Sequence, residues 1–425
     1  MKYALINGII LNGTKDMQPI YNKTILIDEK KIIDIMDSKE IPSNYEIIDL
    51  KGKYILPGLI NLHVHLAGSG KPKNNSADAT KLVKLITSNF ITNAIGHKLV
   101  KNYAKVQLMS GTTTIRTVGG IANYDTLIRD QIQSGKCIGP RILAANMAIS
   151  VPGGHMAGSL AYEAKSKEEA IHYVDVIAKD HPNIIKLMIT GGVSDATKRG
   201  EPGVLRMPPE LVKAACHRAH ELGYQVAAHV ESTEGVKVAL ENGVDSIEHG
   251  AKPTDEIIDL FKKRNAFQVL TISPALPFAY FDKKEMHITD IMQENGKIVF
   301  DGVIEMAKAC LKNDIPVGLG TDTACPYVTQ YDMWREVNYY VKYCGVSKAF
   351  ALYSATLLNA KLAGIDDITG SIEIGKSADL IVVEKNPLDD LTTLRDVKLV
   401  FMEGKKIIPK LKKIDIVEKK LDEYI

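Results

Sequence analysis

Between residues 59 and 322 the chain repeats one pattern eight times: a short apolar run suited to a strand, then a longer segment suited to a helix or a long loop. The runs are LINLHVH, TTTIRTVG, RILAANMAI, IIKLMITGG, YQVAAHVE, VDSIEHG, FQVLTIS and IPVGLGTD. Near-continuous apolar runs of this length, separated by helical patterns, suit parallel strands covered on both faces. Residues 208–223, PPELVKAACHRAHELG, show the helical half of the unit, with an early acidic residue, apolar residues at i, i+3, i+4 spacing and a closing Gly223. Eight such units predict an α/β fold, a (β/α)8 TIM barrel, over residues 57–366. The flanks read differently. KTILIDEKKIIDIM and YEIIDLKGKYIL before the series, and ADLIVVEKN and DVKLVFMEGKKII after it, alternate apolar with polar residues as half-buried strands do. Residues 1–56 and 367–425 are therefore expected to meet in a small β-sandwich domain, the second segment also carrying a C-terminal tail.

Composition narrows the function. A chain of 425 residues, 45% hydrophobic and 24% charged, is globular and neither disordered nor fibrous. Its 53 basic and 51 acidic residues leave a net charge of +2, which recommends neither nucleic acid nor a membrane surface as partner. A small molecule or dipeptide is the expected ligand, and a homo-oligomer is compatible with the composition. The cysteines, Cys137, Cys216, Cys310, Cys325 and Cys344, lack C-x-x-C spacing, and their odd number fits a reducing cytoplasm. The opening MKYALINGII reads as a first strand rather than a leader, and no apolar run reaches the roughly 18 residues of a membrane-spanning helix.

Polar residues interrupt the strand series at telling places. Residues i and i+2 of a strand point the same way, so His63 and His65 project together and form half of a chelate. The same spacing also suits two histidines satisfied by backbone carbonyls. Lys186 lies between isoleucines and leucine, where an unpaired ammonium is costly. Pairing with a carboxylate or snorkelling to the barrel mouth would relieve it, and so would reaction of the neutral amine with carbon dioxide to an anionic carbamate. His229, His249 and Asp322 end three further strands, on the side where this kind of barrel assembles its active site.

With these residues in place the chain resembles the amidohydrolase superfamily, in its imidazolonepropionase-like and prolidase/carboxypeptidase branch. The resemblance spans nearly the whole chain through LPGLINLHVHL, IIKLMITGG, AAHVES, GVDSIEHG, GLGTDT and GSIEIGKSADLIVVEKNPL. It implies two divalent ions, zinc by default. His63, His65 and Asp322 would bind the more buried one, His229 and His249 the second, and a carboxylated Lys186 would bridge both beside a hydroxide. Asp322 would then shuttle the proton from nucleophile to leaving nitrogen. His155, in VPGGHMAGS, matches a histidine that in relatives hydrogen-bonds the substrate carbonyl or oxyanion. Where relatives carry an aromatic or polar residue beyond the fifth-strand histidine, this chain has Val230 and Glu231.

Other loop residues are weaker candidates. Arg206, with Lys198 and Arg199, could hold a substrate carboxylate, and Tyr327 and Gln330 follow Asp322 closely enough to touch a ligand. Cys325 lacks a cysteine partner nearby, and His97, His172, His181, His217, His220 and His287 fall on helices or loops. The expectation is a cytoplasmic binuclear amidohydrolase that cleaves a dipeptide or an N-acyl amino acid. The alternatives are a hydrolase or deaminase of a cyclic amide, imide or heterocycle, and a non-catalytic scaffold like the dihydropyrimidinase-related proteins.

Overall fold

The computed structural model describes residues 1–37, 41–72 and 78–425. All eight expected strands of the central series form, and every pairing among them is parallel. Leu59–Val64, Thr112–Thr117 and Arg141–Leu143 make one run. Ile184–Met188, Gln225–Val230, Ser246–His249, Phe267–Leu270 and Val317–Leu319 make the second, extended at its near edge by Ala148–Ser150 and Ala161–Glu163. RILAANMAI was expected as one strand and is two. Asn146 turns into the left-handed region (φ 61), which asparagine tolerates. Its carbonyl takes the Gly120 N–H at 2.7 Å and its side chain the Thr126 N–H at 3.1 Å, so the ladder breaks there.

Where the last strand lies beside the first, side chains and chain ends supply the contacts. Asn359 donates to the carbonyls of Ile60 (2.7 Å) and Leu319 (2.9 Å) and accepts the Leu319 N–H (3.0 Å). The amides of Thr321 and Asp322 reach the His63 carbonyl at 3.3 and 2.8 Å. This α/β arrangement is consistent with a TIM barrel.

Strand alternation decides which residues face inward. Ile185, Leu187, Val226, Ala228, Val230 and Ile247 join the large core beneath the helices. Ile184 and Ala227 sit on the opposite side in a small cluster with Val118 and Ala145, and Lys186 and His229 share that parity. Helix ends follow local chemistry. Asp255–Arg264 starts at Thr254, whose hydroxyl accepts the Ile257 N–H (3.2 Å), and stops at left-handed Asn265. The helix read from residues 208–223 spans Pro209–Glu221, with Gly223 at φ 81 beyond it.

The two terminal segments do meet. Their strands form one eight-stranded sheet ordered Lys405–Ile407, Leu399–Met402, Leu380–Val383, Tyr54–Pro57, Lys2–Ile10, Ile20–Asp28 and Lys31–Asp37, with Glu46–Asp49 pairing Lys2–Ile10 as well. Tyr54–Pro57 joins the halves, pairing with Leu380–Val383 on one edge and Lys2–Ile10 on the other. A core of its own, including Tyr3, Leu5, Ile27, Ile55, Leu380 and Phe401, fills this sheet. The pairings describe a single sheet and do not divide it into the two layers of a sandwich.

The C-terminal helix Asp415–Leu421 returns to the helix Met333–Cys344 that follows the last central strand. Fully buried Arg335 binds Asp332, Glu418 (2.9 Å) and Asp422 (3.0 Å), and its guanidinium stacks over Trp334. Asp332 in turn accepts the N–H and hydroxyl of Thr329 at 2.8 and 2.7 Å, fixing the loop beyond Asp322. Among the described residues no helix is long and apolar enough to cross a membrane.

Candidate active site

The six polar residues singled out at strand ends come together at one mouth of the parallel strands. His63 and His65 project side by side, ring centroids 5.4 Å apart. His63 Nδ1 lies 2.7 Å from Glu248 Oε2, and His65 Nδ1 lies 2.7 Å from the Gly119 carbonyl. Both partners accept, so each Nδ1 carries the hydrogen and the Nε2 of the neutral ring offers a bare lone pair. Both Nε2 atoms face Asp322 Oδ1, at 3.4 and 3.2 Å. That oxygen is buried and has no hydrogen-bond partner among the described residues.

His249 completes the cluster by breaking strand parity. Strict alternation would send it outward with Ile247, but its φ of 67 turns the ring in, where Nδ1 meets Thr271 Oγ1 at 2.7 Å. Ligand atoms of His63, His249 and Asp322 lie within 4.8 Å of one another. His229 sits beside them, its ring centroid 4.7 Å from that of His249 and its Nε2 3.3 Å from the Gly191 carbonyl. Burial, and then the neighbouring imidazoles, hold the pKa values of His229 and His249 well below the ordinary histidine range. Electron-pair donors therefore converge with no hydrogen to share, which is the donor set of a divalent-cation site.

Lys186 stands one strand away, paired in register with Ala227 while Met188 pairs with His229. It is 1% exposed and its Nζ has no hydrogen-bond partner among the described residues. Burial lowers its pKa to about 8 against the pull of Glu248 and Asp322. A more readily neutral amine, buried and unpartnered, suits conversion to an anionic ligand.

Glu248 and Arg116 had drawn no attention in the sequence. Glu248 is fully buried and takes hydrogen bonds from His63 Nδ1, Arg116 Nη2 (2.6 Å) and Ser246 Oγ (2.7 Å). Burial opposes its charge, yet Arg116 and His63 keep its pKa far below the carboxylate range. Arg116 Nε also donates to the Leu62 carbonyl at 2.7 Å. A charged residue at an inward position of each strand was the available signal.

Beside the cluster a cavity of about 260 Å³ opens, lined by His155, His229, Glu231, His249, Asp322 and Cys325, with Phe278 and Val303 on its apolar side. His155 stacks on His229 with centroids 4.2 Å apart, and its Nδ1 lies 2.5 Å from Asp195 Oδ2. Asp195, also unremarked in the sequence, further accepts the Gly192 N–H at 2.9 Å. Burial pushes the Glu231 carboxyl up to about 8, with the Val193 N–H at 2.9 Å opposing and Asp322 and Asp195 adding to it. The Cys325 thiol points at Asp322 Oδ2 from 3.6 Å.

The other loop candidates lie elsewhere. Arg206 is exposed and Tyr327 is buried against Phe281, and neither belongs to the cavity wall. Arg199 pairs with Glu294 and Lys198 lies 3.7 Å from Glu201. Gln330 donates to the carbonyls of His65 (2.9 Å) and Gly68 (2.7 Å), bracing the loop after the first strand.

Over residues 54–407 the sequence matches the Amidohydrolase family. A structure from Bifidobacterium longum, provisionally described as a prolidase, superposes with a TM-score of 0.88 at 36% identity, covering 100% of this chain and 99% of that one. A Xaa-Pro dipeptidase with methionine bound in its active site gives 0.84 at 31% identity, over 96% of this chain and 100% of the other. The ochratoxinase of Aspergillus niger is 24% identical over 92% of this chain and 83% of its own length.

Proposed function

The chain belongs to the amidohydrolase family, and from that premise we propose a binuclear metal-dependent enzyme that cleaves the amide bond of a dipeptide or an N-acyl amino acid. One observation carries this reading: two imidazole lone pairs and an unpartnered carboxylate oxygen converge beside a buried lysine that has no partner. Likeness to a Xaa-Pro dipeptidase supports the dipeptide side of it. The scaffold is read as a closed (β/α)8 barrel over residues 57–366, with a two-layered β domain from 1–56 and 367–425. Five free cysteines support a cytoplasmic setting.

In this reading His63, His65 and Asp322 hold one divalent cation, His229 and His249 hold the other, and Lys186 serves both. Zinc is the expected metal. Bound there, the cations supply a lowered pKa for water and polarisation of the scissile carbonyl. Lys186 contributes as a carbamate: its neutral amine adds to carbon dioxide, a nitrogen–carbon bond forms, one proton is released, and the product is anionic. Asp322 accepts the proton of the attacking water and returns it to the departing nitrogen. His155 has Nδ1 committed to Asp195, so donating a hydrogen bond from Nε2 to the developing oxyanion requires the imidazolium, for which Asp195 is the counter-charge.

Metal analysis tests the reading. Purified protein should carry close to two divalent ions per chain, and Lys186→Ala should lose metal and turnover together. Full turnover by that variant refutes the assignment of Lys186. Cyclic amides and imides assayed alongside dipeptides provide the contrast, since hydrolysis of rings alone would select the other substrate class.

A further inference from the structure

The cavity beside the proposed metal ligands carries two carboxyl groups in its lining, Glu231 and Asp322. Among the described residues no lysine or arginine lines it. Of the loop cations that could have served a substrate carboxylate, Arg199 pairs with Glu294, Lys198 lies near Glu201, and exposed Arg206, outside the lining, acts on Asp195 behind His155. Glu231 is held firmly. Its N–H donates to Thr190 Oγ1 at 3.0 Å, and a side-chain atom on Gly203 would lie 2.4 Å from its carbonyl carbon, so the neighbouring loop packs flush against it. One carboxylate oxygen, Oε2, takes the Val193 N–H at 2.9 Å, which fixes the orientation of the group. The same cavity is lined by Phe278, Val299 and Val303, from the helices Ile272–Tyr280 and Asp290–Lys312. A fixed carboxyl group and an apolar wall in one cavity match an amino acid residue that presents a protonated amine and an apolar side chain.

We propose that Glu231 forms an ammonium subsite, so that the cleft selects substrates with a free amine next to the scissile amide, dipeptides in particular, over N-acylated amino acids. The proposal deepens the amidase reading and rests on it for the bond that is cut. The cavity, at about 260 Å³, sits near the small end of ligand sites, which run from roughly 300 Å³ upward, and so suits a dipeptide better than a longer peptide.

Alanyl-proline and propionyl-proline differ only by the ammonium group and make the matched test pair. A hydrogen bond from a charged ammonium to a carboxyl group in a partly desolvated site is worth about 10- to 100-fold in binding. Metal-loaded protein should therefore prefer alanyl-proline by about that factor in kcat/KM. Glu231→Gln keeps the shape and should collapse the ratio to within a few-fold while still binding metal. Equal turnover of the pair by wild-type protein, or an unchanged ratio in Glu231→Gln, overturns the subsite. Loss of metal from Glu231→Gln also overturns it, by assigning Glu231 to the metal cluster. Calorimetric binding of the pair to Asp322→Asn separates the two readings. Selective binding of alanyl-proline, abolished by adding Glu231→Gln, with no wild-type turnover of either compound sinks the amidase reading and upholds the subsite; equal binding with normal turnover does the reverse.

Discussion

Replacing Glu248 by glutamine probes the support beneath the candidate metal ligands. The carboxylate is 0% exposed and serves the His63 ring and the Arg116 guanidinium at 2.7 and 2.6 Å. Among the described residues the other hydrogen-bond partners of Arg116 are neutral, the Leu62 carbonyl at 2.7 Å and Ser246 Oγ at 3.4 Å. Glu248→Gln thus strands a buried cation, and breaking one side of such a pair costs about 3–5 kcal/mol. Arg116→Met should cost a similar amount by stranding the anion. Removing both charges leaves nothing unpaired, so the double variant should lose about 2 kcal/mol less than the sum of the singles. The folded-state pKa of Glu248 is depressed, so its contribution is complete above the unfolded value and is lost only as pH falls through the lower folded one. Measurements near neutral pH therefore sit on the plateau. Urea unfolding of chelator-stripped proteins keeps metal binding from adding its own stabilisation. In a parallel titration, Glu248→Gln should lose about 10- to 100-fold in metal affinity, because the His63 ring is no longer held in one orientation. A stability loss under about 1 kcal/mol, or strictly additive singles, would show that the buried pair does not anchor His63.

Two further outcomes follow from packing and from pH. A methyl group on Gly320 would lie 2.4 Å from His63 Cβ and 2.7 Å from its backbone nitrogen, so Gly320→Ala must push the last strand away from the first. We expect a loss of about 1–3 kcal/mol together with reduced metal content, and a variant with unshifted unfolding and full metal would contradict this. Glu336 is buried, accepts the N–H groups of Ile272 and Ser273 at 2.7 and 2.8 Å, and burial pushes its pKa to about 7. A raised folded-state pKa favours folding fully below the unfolded value near 4.5 and loses that contribution as pH rises through about 7. The stability of wild type minus Glu336→Gln should then fall by roughly 3 kcal/mol between pH ~4.5 and ~7.5, and parallel profiles would refute it.

Much of the architecture was legible because strand and helix periodicities are local. Each of the eight central runs carries its own pattern, and Gly223 closes its helix as its chemistry suggests. The break at Asn146 was not legible, since what stabilises it is the distant pair Gly120 and Thr126. At the site, chain position showed that His63, Lys186, His229 and Asp322 fall near strand ends, but not which ring nitrogen is tied down. That depends on Glu248 and Gly119, far away in sequence. Arg116 and Glu248 likewise explain each other only once their strands are brought together. Loop residues were hardest to read. Tyr327 adopts φ 66 and turns its ring toward Phe281, an outcome set by the loop's path rather than by its composition.

The docking of the C-terminal helix sets an order of events during synthesis. Arg335 is wholly enclosed, and two of its three carboxylate partners, Glu418 and Asp422, lie 83 and 87 residues further along the chain. Until they emerge, the guanidinium must stay hydrated, and the segment from Thr329 to Asp332 lacks its backing. The loop beyond Asp322 can therefore set only after that distant downstream segment has been made.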